Sequence, residues 1–373
     1  MVKAQIPIRH ARYTKTMSDQ KYTDSDEYQK EIANQYKRRV VKFPASEVVK
    51  AAELLGITIQ PDSLQEAVVG NVNATYLTPE LVIKINQNRE EINYLSNKII
   101  SDRLSGRCPV VRVIAYDNFE KTEYEVLVME RAPGRLLLDD LPDLTPEDRE
   151  TLFRQVLEVV KQMFGIPFSD FGNVNGNRSF PTYTEYLLGT FAENLKKIRS
   201  QGLCEENDIK RVEAYFLARA NVFDGATAVF VDADLHMGNI LHDGKKVTAI
   251  IDFDHSLKAP SVRSLPSLLG LIDNPSQFVE GTSDFPKYKG VSFYDLLPVL
   301  KEELQDVFAD PLLIEKLNII GIREGIDWIA GNWSANFNKM MMRNLIENEV
   351  PENSANLDKS YYGKIILTEV PRS

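Results

Sequence analysis

The sequence predicts an α+β protein in two unequal parts, the first rich in strands and the second rich in helices. Three observations carry this. Short runs of β-forming residues fill the stretch from 64 to 130, helical spacing dominates after Gly134, and the length exceeds one ordinary domain. At 373 residues, 43% apolar and 26% charged, the chain has the composition of a folded protein with enough mass for two packed lobes.

Residues 1 to about 45 are polar, with Asp24-Ser25-Asp26-Glu27 followed by Lys37-Arg38-Arg39. They read as an N-terminal extension, partly disordered or draped on the folded part. Ser46 is then placed as an N-cap for a helix over 47–55, with Val48, Ala51, Ala52 and Leu55 at helical spacing and Gly56 as its stop. Residues 64–70, 74–77 and 81–85 are predicted as short strands separated by Asn/Gly and Thr-Pro turns. A helix over about 89–104 and strands over 110–116 and 124–130 complete the first part. Beyond Pro133-Gly134, helices are predicted over 146–164, 183–198 and 208–223. After a short β-rich region at 228–251, more follow over 296–308, 311–318 and 322–349. The division is roughly 90 residues of strand-rich lobe against roughly 240 of helical lobe, both usual domain sizes.

The net charge of −10 argues against a general nucleic-acid binder, since phosphate-backbone binding needs clustered Lys and Arg. Cys108 and Cys204 stand far apart, outside any ligand-spacing motif, and read as free thiols of a reducing compartment. No apolar run reaches the roughly 18–20 residues of a membrane span. A soluble cytoplasmic protein without membrane partners is expected. The acid-free opening Met1–Ser18 also has the composition of a mitochondrial presequence.

Chemistry concentrates in two segments. Val229-Phe230-Val231-Asp232-Ala233-Asp234-Leu235-His236-Met237-Gly238-Asn239 ends one apolar run, and Ile250-Ile251-Asp252-Phe253-Asp254 ends another. Carboxylates at the rim of buried strands are costly unless a cation or a reaction partner meets them. Phosphoryl transfer accounts for the set. It asks a protein to orient an acceptor hydroxyl and to neutralise developing charge with Mg²⁺. One carboxylate takes the hydroxyl proton, an Asn five residues on offers a neutral oxygen, and a second carboxylate eighteen residues on holds metal. Asp234, Asn239 and Asp252 fit those places. Hard oxygen donors suit Mg²⁺ rather than zinc.

These segments resemble the aminoglycoside phosphotransferase and choline-kinase-like branch of the protein-kinase-like fold, whose catalytic loop reads HxDxxxxN and is followed by an IDFD or IDWE strand end. The resemblance implies a two-lobed kinase-like fold: an extension over 1–45, a nucleotide-binding lobe over 46–131 with an antiparallel sheet, and a helical lobe over 132–373 with the catalytic loop and acceptor site. It implies ATP and Mg²⁺, with Asp234 as catalytic base and Asn239 and Asp252 as metal ligands. Lys84, within Leu81-Val82-Ile83-Lys84-Ile85, would hold the α- and β-phosphates and pair with Glu91 on the following helix, Glu90 being the other acidic residue there. Gly70 would open the phosphate-covering loop. Backbone groups near Glu130 and Ala132 would read adenine at the lobe-connecting segment. The implied reaction is γ-phosphate transfer to a hydroxyl of a small molecule: an aminoglycoside, a sugar or an amino alcohol.

One departure is plain: Asp232 stands where that family usually carries His. It motivates the alternative of a nucleotide-binding pseudokinase or scaffold, as does a phosphate loop with a single glycine. His236 and Asp254 are placed near substrate or a metal-bound water. Trp328 and Trp333 are assigned to core packing rather than to the acceptor pocket.

Overall fold

Strand residues with alternate apolar side chains build the first sheet, and each of its faces is covered by a helix. The computed structural model describes residues 28–30, 32–33, 42–67, 74–88, 94–176, 178–331, 335–350 and 354–368. Strands β1 (Gln65–Glu66), β2 (Ala74–Leu77), β3 (Leu81–Asn86), β4 (Val113–Asn118) and β5 (Glu125–Glu130) form an antiparallel sheet in the order β1-β2-β3-β5-β4. Val126 and Val128 face helix α1 (Ala45–Leu54), packing with Val48, Ala52, Ile83 and Ile85. Leu127 and Met129 point the other way and pack with Tyr94, the residue that leads into α2 (Leu95–Leu104). That alternation is the period-2 pattern of a strand buried on both faces.

The second part is built on α3 (Leu137–Asp140), α4 (Pro146–Phe164), α5 (Tyr183–Gln201), α6 (Glu206–Leu217), α7 (Leu265–Asp273), α8 (Phe285–Tyr288), α9 (Leu297–Glu303), α10 (Gln305–Phe308), α11 (Leu313–Ala330), α12 (Ala335–Asn348) and α13 (Tyr361–Ile366). Helix α4 buries Leu152, Val156, Leu157, Val159, Val160 and Met163 in the core, while Thr145 caps its N-terminus by accepting from the Asp148 N–H. Burying a Leu or Val side chain contributes on the order of 1.5–3 kcal/mol.

Several expected boundaries move, each for a physical reason. Ser46 is not the N-cap. Helix α1 starts after Pro44, and the chain is steered into it by Phe43, whose N–H and C=O both bond the Tyr76 hydroxyl at 2.8 Å. The strand expected from 110 begins at Val113, because Val110 bridges Ile250 in the other lobe and the Ile250 N–H donates to the Pro109 carbonyl. The expected break near 319–321 does not occur, and α11 runs through Gly321 to Ala330. A Cβ on Gly321 would meet the Tyr362 ring at 3.1 Å, so this glycine serves close packing rather than a turn. The helix expected over 208–223 is α6 followed by a 3-10 turn, Ala220–Phe223. Gly70, Glu90, Glu91 and Trp333 lie outside the described residues, whereas Trp328 packs against the core as expected.

The helical lobe also carries two small sheets. Strands β6 (Arg135–Leu136), β7 (Pro167–Phe168), β8 (Phe171–Asn173), β9 (Ser179–Phe180), β10 (Ala228–Asp232), β11 (Ile240–His242), β12 (Val247–Ile250) and β13 (Ser256–Ala259) order as β7-β10-β13-β8-β9 and β12-β11-β6. Pairing of Val231 with Leu257 and Asp232 with Ser256 fixes where β10 ends and its carboxylates begin.

The connection between lobes turns at Gly134, with φ +116, where a Cβ would stand 2.7 Å from both the His242 carbonyl oxygen and Thr248 Oγ1. Gly134→Ala is expected to lower unfolding free energy by about 1–3 kcal/mol, the usual cost of a non-glycine residue in such backbone. Urea denaturation followed by tryptophan fluorescence reads the change in midpoint.

Candidate active site

The first cluster forms where β3 meets the turn after β12. Lys84 Nζ donates to Asp252 Oδ1 at 2.5 Å and to Asp254 Oδ2 at 2.9 Å. The Lys84 and Asp254 side chains keep only 6% and 3% of their surface, while Asp252 keeps 21%. Burial works against all three charges. For Lys84, the two carboxylates overcome that penalty and raise its pKa. For Asp252, burial is likewise outweighed by the Lys84 charge and hydrogen bond, so its carboxyl lies below the usual range. For Asp254, burial prevails, reinforced by the neighbouring Asp252 charge, and its carboxyl lies above it. Two carboxylates on one ammonium leave one excess negative charge, and the more enclosed acid bears the consequence.

Helix α2 fixes the turn that presents these acids. Asn97 donates through Nδ2 to Asp254 Oδ1 at 2.6 Å and accepts the Phe253 N–H at 3.2 Å. Ser96 Oγ donates to the Phe253 carbonyl at 2.6 Å. Asp252 itself adopts φ +66, ψ +56, a left-handed conformation that costs a non-glycine residue of order 1–3 kcal/mol and clusters at functional sites. Tyr94 closes the cluster with its ring 5.7 Å from Lys84 Nζ.

The second cluster is the loop after β10. Asp232 Oδ1 accepts the Asp234 N–H at 3.0 Å, and His236 Nδ1 accepts the Gly238 N–H at 3.1 Å. Each side chain bonds the backbone two residues on, so the loop is held by its own polar groups. Ser267 Oγ supports it from α7 through the Ala233 carbonyl at 2.8 Å. Asn239 Nδ2 donates to the Asp234 carbonyl at 3.1 Å, while its Oδ1, fully buried, has no hydrogen-bond partner among the described residues. The Asn239 carbonyl in turn accepts the Ile251 N–H at 2.9 Å. That bond sits one residue before Asp252, so the β11–β12 hairpin brings the two clusters into one site.

The remaining sequence candidates distribute unevenly. Glu130 ends β5 opposite Leu81, with its N–H given to the Arg112 carbonyl and its carboxylate paired with Arg112 at the surface. Ala132 follows at the start of the inter-lobe connection. His236 is fully buried and 5.0 Å from the Phe278 ring, with Nε2 3.9 Å from Asp234 Oδ2, and it also supports the loop through Gly238. Asp254, assigned beside metal water, belongs to the lysine clamp. Among the described residues the Lys84 ammonium bonds the acids of the opposite lobe, while Glu91, expected as its partner, lies outside them. Sequence reasoning missed Ser96 and Asn97. Their signal was a run of small polar residues on what had to be the inward face of α2.

Lys84→Met, which leaves the buried Asp254 and the partly buried Asp252 without their cation, is expected to destabilise the fold by about 3–5 kcal/mol. Lys84→Met/Asp254→Asn should recover a substantial part of that loss. Chemical denaturation of both variants measures it; equal loss in the two would refute the clamp.

Residues 70–262, just over half of the chain, match the phosphotransferase enzyme family, abbreviated APH. No curated protein matches by sequence. Among solved structures, aminoglycoside phosphotransferase APH(4)-Ia superposes with a TM-score of 0.52 at 14% identity, covering 81% of this chain and 99% of that one. A thermostable mutant of the same protein, in ternary complex with AMP-PNP and hygromycin B, gives 0.54 at 14% identity over 80% and 98%. ADP-bound APH(2'')-Ib gives 0.50 at 15% identity over 81% and 99%. The fold is therefore the protein-kinase-like one that the sequence suggested, and the chain belongs to the phosphotransferase enzyme family, whose members transfer a phosphoryl group to a hydroxyl of a small molecule.

Proposed function

We propose that the chain is an ATP-dependent, Mg²⁺-dependent kinase of a small hydroxylated molecule, with Asp234 as its base. The observation that carries this reading is the union, through one hairpin, of Lys84 and Asp252 with the loop that presents Asp234 and Asn239. The acceptor hydroxyl gives its proton to Asp234 as its oxygen bonds the γ-phosphorus. The bond from that phosphorus to the β-phosphate oxygen breaks, and ADP leaves with the electron pair. Lys84 holds the α- and β-phosphates, with Glu91 as its companion on the helix side. The loop opened by Gly70 covers the phosphates, and the Glu130 carbonyl and Ala132 N–H read the adenine edge.

The donor set fits a hard divalent cation. The buried Asn239 Oδ1 is an oxygen without a hydrogen-bond donor among the described residues, and Asp252 is a carboxylate held ionised by Lys84. Asn239 and Asp252 would hold Mg²⁺. When bound, it neutralises charge on the β- and γ-phosphate oxygens. The AMP-PNP and hygromycin B held by a protein of the same fold support a nucleotide donor and a polyhydroxylated acceptor of the aminoglycoside, sugar or amino-alcohol kind. Asp232 does not favour the pseudokinase alternative, because its carboxylate supplies a backbone bond that steadies Asp234.

The experiment is ADP release with Mg²⁺-ATP and a panel of hydroxylated acceptors. Asp234→Asn and Asp252→Ala are expected to lower turnover by at least about 10³-fold, the scale of losing a catalytic base or metal ligand, while circular dichroism stays native. Wild-type turnover in either variant would sink the assignment. EDTA is expected to stop the reaction and Mg²⁺ to restore it.

A further inference from the structure

Among the described residues of the N-terminal extension, Tyr28 and Gln29 bond the loop that backs the catalytic loop. Beyond α7, the 3-10 turn Pro275–Phe278 sets the Phe278 ring 5.0 Å from the ring of His236, whose Nε2 is 3.9 Å from Asp234 Oδ2. Two residues past Phe278, the buried Glu280 accepts the Tyr28 hydroxyl through Oε2 at 2.8 Å. The next N–H, from Gly281, donates to Gln29 Oε1 at 2.6 Å. The Tyr28 ring stacks on Phe337 of α12 with centroids 6.3 Å apart and planes at 11°. Tyr28 and Ile32 are almost wholly enclosed and belong to the core of the helical lobe.

Gly281 shows that this contact is built into the loop. Its φ of +75 favours glycine, and a Cβ there would stand 2.9 Å from the Ala33 nitrogen and 3.0 Å from Ile32 Cγ2. Both the backbone conformation and the room for residues 32–33 depend on the missing side chain. Further on, Phe43 is fixed to the first sheet through Tyr76, so one stretch of chain is anchored in both lobes.

We propose that Tyr28, Gln29, Ile32 and Ala33 serve as the rear support of the acceptor site, with Tyr28 a positioning residue that holds the 275–282 loop against His236 and thereby the acceptor side of Asp234. The proposal rests on the kinase reading above. It predicts an effect on the acceptor and not on the nucleotide, because Lys84, Glu130 and Ala132 belong to the first sheet and to the connection that leaves it.

Tyr28→Phe keeps the ring stack and removes one buried hydrogen bond; Glu280→Gln and removal of residues 1–41 are the companion variants. For Tyr28→Phe, acceptor KM is expected to rise about tenfold, the scale of one such bond, with ATP KM within about twofold. Removal of 1–41 should enlarge the rise and widen the range of acceptors phosphorylated. Amide hydrogen exchange, read without turnover, should quicken over 275–282 and 235–241 in Tyr28→Phe. Unchanged exchange in those segments overturns the proposal, as does an equal shift in both KM values or a fall in Tm with neither KM moved. Wild-type protein that transfers phosphate to no acceptor overturns the kinase reading alone, and the exchange measurement still decides the support.

Discussion

A single buried ammonium, Lys84, is shared between two carboxylates of the opposite lobe, and the site is organised around keeping that unequal grouping intact. The register of β3 against β5 sets where the lysine emerges, opposite Leu127. The left-handed turn at Asp252 sets where the acids emerge. Neither element can shift without leaving a charge buried and unmatched, a penalty larger than most packing differences. Ser96 and Asn97 then hold the acidic turn by its backbone and by its more enclosed carboxylate. The outcome is division of labour between two like residues. Asp254 is spent on holding the lysine, and Asp252 stays ionised and partly open to a ligand.

The parts of this site legible in the sequence were those that act over short separations. Asp234 and Asn239 are five residues apart on one loop, and Asp252 closes the strand that returns beside it, so spacing together with the family resemblance pointed to them. Lys84 was legible because a cation among Val82, Ile83 and Ile85 needs an explanation. What stayed hidden depends on distant partners. Asn97 looks like an ordinary helix residue until the 253–254 turn arrives from 156 residues away. Ser46 has the side chain of a cap, yet the Tyr76 hydroxyl, far along the chain, decides where α1 starts. The strands β6 to β9 are two or three residues long, too short for any periodic signal. Gly321 carried the usual mark of a break and turned out to be a contact surface for Tyr362.

Asp232 illustrates how a loop keeps its shape when a customary side chain is exchanged. The resemblance led us to expect an imidazole there. The carboxylate in its place accepts the N–H two residues on, a short-range tie. His236 adds a second tie of that form at Gly238, so the loop between β10 and β11 is closed at both ends. At 14% identity the solved structures share the fold with this chain.

The connection between the lobes has a consequence for how such a molecule can open. Thr248 Oγ1 donates to the Pro133 carbonyl at 2.6 Å, Gly134 lies against His242, and Val110 of the first part bridges Ile250. All three attachments end on the β11–β12 hairpin, the element whose two ends are Asn239 and the approach to Asp252. The crossing is thus a riveted joint and not a loose pivot. Any rocking of the sheet that carries Lys84 is felt by the same hairpin, so gape and ligand geometry form one mechanical degree of freedom.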